Sequence, residues 1–160
     1  MLWPHLRAAY NFARWLVRND HDAEDVVQES FVKAFVALDR FRGGDARLWL
    51  LAIVRNTALT LLRRRRSGPS LSGDEFPEPV DRADGIEDAL IASERRKRVR
   101  AAIEQLPDEF RETLILRELE GLSYKEIASV LEAPVGTVMS RLSRARNLLL
   151  RELIDVREVR

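Results

Sequence analysis

Apolar residues recur at three- and four-residue steps along most of this chain, and no stretch shows the two-residue alternation of a half-buried strand. The first stretch, residues 2–18, predicts a helix. After a break at Asn19-Asp20-His21, the positions Val26, Val27, Phe31, Ala34, Phe35 and Leu38 predict a second helix reaching about residue 38. Asp22 is its expected N-cap, and Glu24 and Asp25 put negative charge at its positive end. Phe41-Arg42-Gly43-Gly44 reads as a loop. Leu48, Leu51, Ala52, Val54 and Leu59 then predict a third helix over 45–65, which runs into four arginines, Arg63 to Arg66. Leu90, Ile91, Val99 and Ile103 predict a helix over 87–104. Phe110, Leu114, Ile115 and Leu116 predict another over 108–118, between stop signals at Leu106-Pro107 and Gly121.

The most informative stretch is Leu122 to Arg146, LSYKEIASVLEAPVGTVMSRLSRAR. Ser123 and Glu126 have capping-box spacing and mark a helix start. Ile127, Ala128 and Leu131 face inward from that helix. Pro134 suits the first turn of a second helix, where a missing N–H costs nothing. In that second helix Val138, Leu142, Ala145 and Leu149 share an apolar seam. Thr137, Met139, Ser140, Arg141, Ser143, Arg144 and Asn147 remain outward. A helix lying in a DNA major groove needs Arg and Ser on its free face, because Arg binds guanine edges bidentately and both types hold phosphates. Two amphipathic helices with outward arginines also suit any helical bundle, and the turn Glu132-Ala133-Pro134 lacks the glycine common in helix-turn-helix units.

Charge changes the picture through its distribution rather than its total of +1. Residues 1–66 hold 12 basic and 7 acidic side chains, whereas residues 67–94 hold 1 and 8. Two basic bodies are therefore joined by an acidic strap. Residues 67–88 are also rich in Pro, Gly and Ser, a composition that buries too little apolar surface to offset its ordering entropy. Fully extended, such a segment reaches roughly 75 Å. The fold class expected is all-α: two small helical domains, 1–66 and 87–160, joined by a flexible acidic linker over 67–86, with the helix-turn-helix in the second.

The chain has no Cys, hence no disulfide, thiolate metal site or Cys nucleophile. His5 and His21 stand apart without metal-ligand spacing, so no metal or cofactor is expected. No apolar run approaches the roughly 18 residues that span a bilayer. Pro4, His5 and Arg7 interrupt any signal-peptide core. A cytoplasmic protein without membrane insertion is the expectation.

Two separate blocks carry a resemblance. Asp22-Ala23-Glu24-Asp25-Val26-Val27-Gln28-Glu29, then Phe41-Arg42-Gly43, then Trp49-Leu50 and Arg55-Asn56, resemble the core-binding and promoter-melting lobe of extracytoplasmic-function sigma factors of bacterial RNA polymerase. The Leu122–Arg146 block, with Pro134-Val135-Gly136-Thr137-Val138 inside it, resembles their second lobe, which reads the −35 promoter element. Order and spacing agree, although the chain opens directly in the first helix with less leading sequence than the resemblance suggests. The resemblance implies a sigma subunit without enzymatic activity. Its partners would be RNA polymerase core, promoter DNA and an anti-sigma factor.

Site residues follow from the resemblance position by position. Asp25, Gln28 and Glu29 would meet the polymerase clamp; on their own they are a solvated helix face. Arg42, Trp49, Arg55, Asn56 and Arg63 would meet the −10 element, with Asn56 offering amide hydrogen bonds to an unstacked base and the arginines holding phosphates. Trp49 could stack on a base, but a helix Trp is more often a core residue, and the Arg63–Arg66 run can also be a soluble helix end. Thr137, Ser140, Ser143 and Arg144 would face −35 bases or nearby phosphates, and Arg141 and Arg146 the backbone. Met139 stands where some relatives have a basic residue, which leaves the −35 sequence undetermined.

The competing function is a stand-alone helix-turn-helix regulator, which would not need the Asp22–Glu29 block or the −10 loop. A metal-dependent nucleic-acid enzyme using Glu24, Asp25 and Glu29 is set aside. Adjacent Glu24 and Asp25 point about 100° apart on a helix and do not converge on one ion.

Overall fold

The computed structural model describes residues 2–66 and 86–158, and every regular element among them is helical. The expected linker, 67–86, lies outside the described residues except for its last one. The first lobe is built from α1 (Leu6–Val17), α2 (Asp20–Val36) and α3 (Ala46–Arg65), each packed on the other two. Short 3-10 turns precede α1 at Trp3–His5 and follow α2 at Leu38–Arg40. Its centre is Phe12, Leu16, Val26, Phe31, Leu50, Leu51, Val54 and Ala58, all buried.

The α1–α2 corner differs from the sequence expectation. Arg18 ends α1 in a left-handed conformation, φ 67°, with its N–H on the Arg14 carbonyl. Asn19, not Asp22, is the N-cap of α2: its side-chain oxygen accepts from the Asp22 N–H at 2.8 Å. Asp22 sits one turn later, buried, and its carboxylate takes both terminal nitrogens of Arg65 from the far end of α3. Several residues in this corner make good caps, and only the long-range arginine decides which acid turns inward. Asp45 caps α3 as a short polar acceptor should, receiving the Arg47 N–H at 2.9 Å.

The second lobe comprises α4 (Ile86–Glu104), α5 (Asp108–Glu118), α6 (Tyr124–Leu131) and α7 (Val135–Glu158). Helix α7 packs against α4, α5 and α6, and Leu114, Ile115, Leu116, Leu122, Ile127, Val130, Leu131, Val138, Leu142 and Ala145 are buried. The apolar face expected of α4 is only partly used. Ala102 is buried and Ile103 half-buried, but Leu90 is 60% exposed, and Ile91 and Val99 are exposed too. Periodicity aligns side chains along a helix; it does not decide how far a neighbouring helix covers them.

The two lobes dock. Helix α1 lies on α5 and α3 on α6, so one apolar cluster runs through both lobes. The rim is polar. Arg55 makes a bidentate pair with Glu112, 2.8 and 3.1 Å. Arg47 donates to the Glu120 carbonyl, Arg18 to the Glu104 carbonyl, and Arg66 to Asp108 at 3.3 Å. Arg111 is buried and holds the α4–α5 turn by donating to the Leu106 carbonyl at 3.0 Å and to Asp108 at 2.6 Å. Burial lowers its pKa, as desolvation disfavours the charged form.

Phe12 has no exposed surface. Phe12→Ala is expected to cost about 3–5 kcal/mol, by lost burial plus the cavity left behind. Urea unfolding followed by circular dichroism measures it, and a loss below about 1 kcal/mol would contradict the packing described.

Candidate nucleic-acid and polymerase interfaces

The helix-turn-helix is set by its caps. Ser123 accepts from the Glu126 N–H at 3.1 Å, and the Glu126 carboxylate accepts from the Ser123 N–H at 2.9 Å, completing the capping box expected from the sequence. At the other end of α6, Glu132 takes the left-handed conformation, φ 52°, with its N–H on the Ala128 carbonyl. This is where a glycine would ordinarily stand, so a non-glycine residue turns the chain here at some conformational cost. Pro134 then precedes α7, and its carbonyl accepts from the Val138 N–H at 3.2 Å.

Val138, Leu142 and Ala145 face the core as expected, with Leu149 half-buried. Met139, Ser140, Ser143, Arg144 and Asn147 are exposed. Thr137, Ser140, Arg144 and Asn147, at steps of three and four, fall on one stripe of α7. Thr137 is half-buried, and its carbonyl accepts from the Ser140 hydroxyl at 3.1 Å. The two expected backbone contacts are already engaged. Arg141 stands 3.8 Å from Glu109, and Arg146 donates to Glu118 at 3.0 Å. The hydrogen bond to Glu118 raises the Arg146 pKa. Beside this pair the Arg117 guanidinium lies 4.7 Å over the Tyr124 ring.

In the first lobe, Asp25, Gln28 and Glu29 all lie exposed on α2, opposite buried Val26, Val27 and Ser30. Glu29 pairs with Lys33 at 3.3 Å, and Asp25 lies 3.7 Å from His21. The sequence reading missed what continues this face. Val32, Phe35 and Val36 are exposed, Val36 to 80%, and Leu38 is more open than expected. The spacing of Phe35 and Leu38 predicts inward positions, and the structure leaves both exposed. Periodicity gives no signal for this, since Phe35 keeps a four-residue step from buried Phe31 and only the lie of the neighbouring helices leaves it open.

The −10 candidates divide. Trp49, Asn56 and Arg63 are spaced seven apart on α3 and so share one face. Asn56 and Arg63 are exposed. Trp49 is half-buried and packs on Phe41, ring centroids 4.9 Å apart. Arg42 is exposed on the preceding loop, which turns through Gly43 (φ 84°) and Gly44 (φ 105°). A Cβ at either glycine would meet nothing within 4 Å, so backbone conformation and not crowding calls for glycine there. Arg55 is not on this open face, because Glu112 of the second lobe holds it. Of the four-arginine run, Arg65 is committed to Asp22 and Arg66 to Asp108.

Among the described residues, no cluster of His, Cys, Asp or Glu is placed to hold a metal ion, and no helix is long and apolar enough to cross a membrane.

Residues 3–68 match the family Sigma-70 region 2, and residues 96–149 match Sigma-70, region 4. Over 137 residues the chain is 43% identical to the ECF RNA polymerase sigma-E factor of Salmonella typhimurium, covering 80% of this chain and 72% of that protein. This chain belongs to the extracytoplasmic-function sigma factors. It is also 43% identical over 146 residues to the RNA polymerase sigma-H factor of Pseudomonas aeruginosa, covering 84% and 76% of the two chains. Among solved structures it resembles the sigma factor RpoE of Bartonella quintana, crystallised with the anti-sigma factor NepR. The TM-score is 0.78 at 29% identity, over 95% of this chain and 93% of that one. It also resembles CnrH in complex with the cytosolic domain of CnrY, with a TM-score of 0.69 at 30% identity, over 97% and 85%.

The sigma factor's Arg146–Glu118 pair is about half exposed on both sides. Such pairs contribute roughly 0–1 kcal/mol. Arg146→Ala is therefore expected to leave the unfolding midpoint nearly unchanged while weakening DNA binding. A large drop in midpoint with unaltered DNA affinity would make Arg146 a structural residue only.

Proposed function

We propose that this sigma factor binds RNA polymerase core through the Asp25-Gln28-Glu29 face of α2 and directs it to promoters through two DNA-facing helices. The Trp49-Asn56-Arg63 face of α3, with Arg42 on the loop before it, takes the −10 element. The Thr137-Ser140-Ser143-Arg144 face of α7 takes the −35 element, with Arg141 and Arg146 on its phosphates. The domain division proposed is 1–66 for core and −10 binding and 87–160 for −35 binding. The protein acts in the cytoplasm as an initiation factor and catalyses no reaction of its own. An anti-sigma factor is its proposed regulator, as the structural relative RpoE was solved with the anti-sigma factor NepR. One observation carries the reading: matches to region 2 and region 4 occur in order on one chain, with the motif side chains of α2, α3 and α7 largely on the surface.

Pull-down of core polymerase followed by promoter-dependent transcription tests the proposal. A stand-alone regulator would bind DNA yet capture no core. Asp25→Arg or Glu29→Arg is expected to weaken core binding with circular dichroism unchanged, because both side chains are solvent-facing on a well-packed helix. Unaltered core affinity in both variants would remove α2 from the interface.

Arg144→Ala is expected to lower binding to −35 duplex by about 1–3 kcal/mol and to relax specificity, as loss of a base contact does. Arg141→Ala should weaken all sequences alike, because phosphate contacts carry no sequence information. Competition with scrambled duplex separates the two cases. Equal losses on both duplexes for Arg144→Ala would make it a phosphate contact.

A further inference from the structure

The exposed side of α7 is low along its middle and taller at its flanks. By helical geometry Gly136, Ser140 and Ser143 lie within about 60° of one another, opposite buried Val138, Leu142 and Ala145. Gly136 has open space where a side chain would stand, and the Ser140 hydroxyl turns back to donate to the Thr137 carbonyl. A ridge this shallow lets the helix backbone come close to the floor of a groove. The longer side chains stand on either side of it, and the two flanks differ in chemistry. One carries Thr137 and Arg144, which offer hydrogen bonds. On the other, about 140° from Arg144 around the axis, is Met139. Met139 is 53% exposed, with Val135 also exposed one turn before it and Ser143 one turn after.

A helix lying in the major groove sets both flanks against base edges. The groups on those edges are hydrogen-bond donors and acceptors, apart from the C5-methyl of thymine. A thioether donates no hydrogen bond and accepts only weakly, and its rotatable bonds let it fit a small apolar partner. A wholly apolar partner would leave the neighbouring Ser143 hydroxyl unpaired. Thymine sets its methyl group beside the O4 acceptor and so suits Met139 and Ser143 together. We propose that Met139, backed by Val135, is a specificity-determining residue for −35 DNA that packs on the methyl group of a thymine, while Arg144 across the ridge takes the acceptors of another base pair. The inference deepens the −35 assignment and rests on it. It gives the −35 sequence one expected feature, a thymine whose methyl group contributes to binding.

The test begins with selection of the preferred duplex from a randomised pool by the full native chain. Each thymine of that duplex is then replaced in turn by deoxyuridine, which removes the methyl group and nothing else. At the thymine under Met139 the replacement should lower affinity about fourfold by fluorescence anisotropy, as expected for one methyl group no longer buried. Met139→Gln, of similar length, should abolish that penalty, and Met139→Leu should keep most of it. Arg144→Ala should leave the penalty in place while relaxing the preference elsewhere in the site. Circular dichroism should match the native chain in all three variants, because both positions are exposed. Binding that ignores methyl loss at every selected thymine overturns the proposal, and so does a penalty of equal size in Met139→Gln. A selected duplex without thymine overturns it as well. A chain that selects no sequence overturns the −35 assignment along with it. A selected duplex that responds to Arg144→Ala but to no methyl loss overturns this inference alone.

Discussion

A carboxylate removed from water must be paired or neutralised, and Glu112 is paired by an arginine from the other lobe. That constraint organises the molecule. Glu112 is on α5, whose apolar side, Leu114, Ile115 and Leu116, is buried in the same cluster as the first lobe. Its charge is acceptable there only while Arg55 reaches it, so burial of α5 and docking of α3 come together. Such a pair adds little net stability, since its Coulombic gain is largely offset by desolvation of both partners. Its effect is on geometry and reversibility. It fixes one register between the lobes, and separation returns both charges to water.

The arginines of α3 show how one residue type in one helix divides among roles. Arg65 braces the start of α2 through Asp22, Arg55 and Arg66 reach across to α5, and Arg63 stays in solvent. A run of four arginines at a helix end looks uniform as a string, and the helix dipole favours all of them alike. Their partners separate them. The same sorting occurs on α7, where Arg141 and Arg146 lean on acids of α5 while Arg144 points outward. Acidic residues of α5 therefore hold basic side chains belonging to both α3 and α7.

Glu132 illustrates a different economy. The turn between α6 and α7 requires a left-handed residue and uses a glutamate there, while Gly136 sits inside α7 with open space around it. The caps on either side, the Ser123–Glu126 box and Pro134, define both helix starts. The strain of one non-glycine residue is small beside the burial of Ile127, Leu131, Val138 and Leu142 that the turn permits.

The sequence by itself determined what local rules can carry. The helical periods, the capping box and the inward seam of α7 follow from side chains within a few residues of one another. The two motif blocks identified the sigma-factor family without any contact map. Tertiary structure decided the rest. Asn19 and not Asp22 caps α2 because Asp22 is claimed by an arginine 43 residues away. Phe35 and Leu90 face solvent because no neighbouring helix extends over them, although their spacing suits a core. Arg55 is hidden because Glu112, 57 residues distant, accepts both its hydrogen bonds. Periodicity sets the angle at which a side chain leaves its helix. What waits at the end of that angle depends on how separate helices come to lie, and no local pattern encodes it.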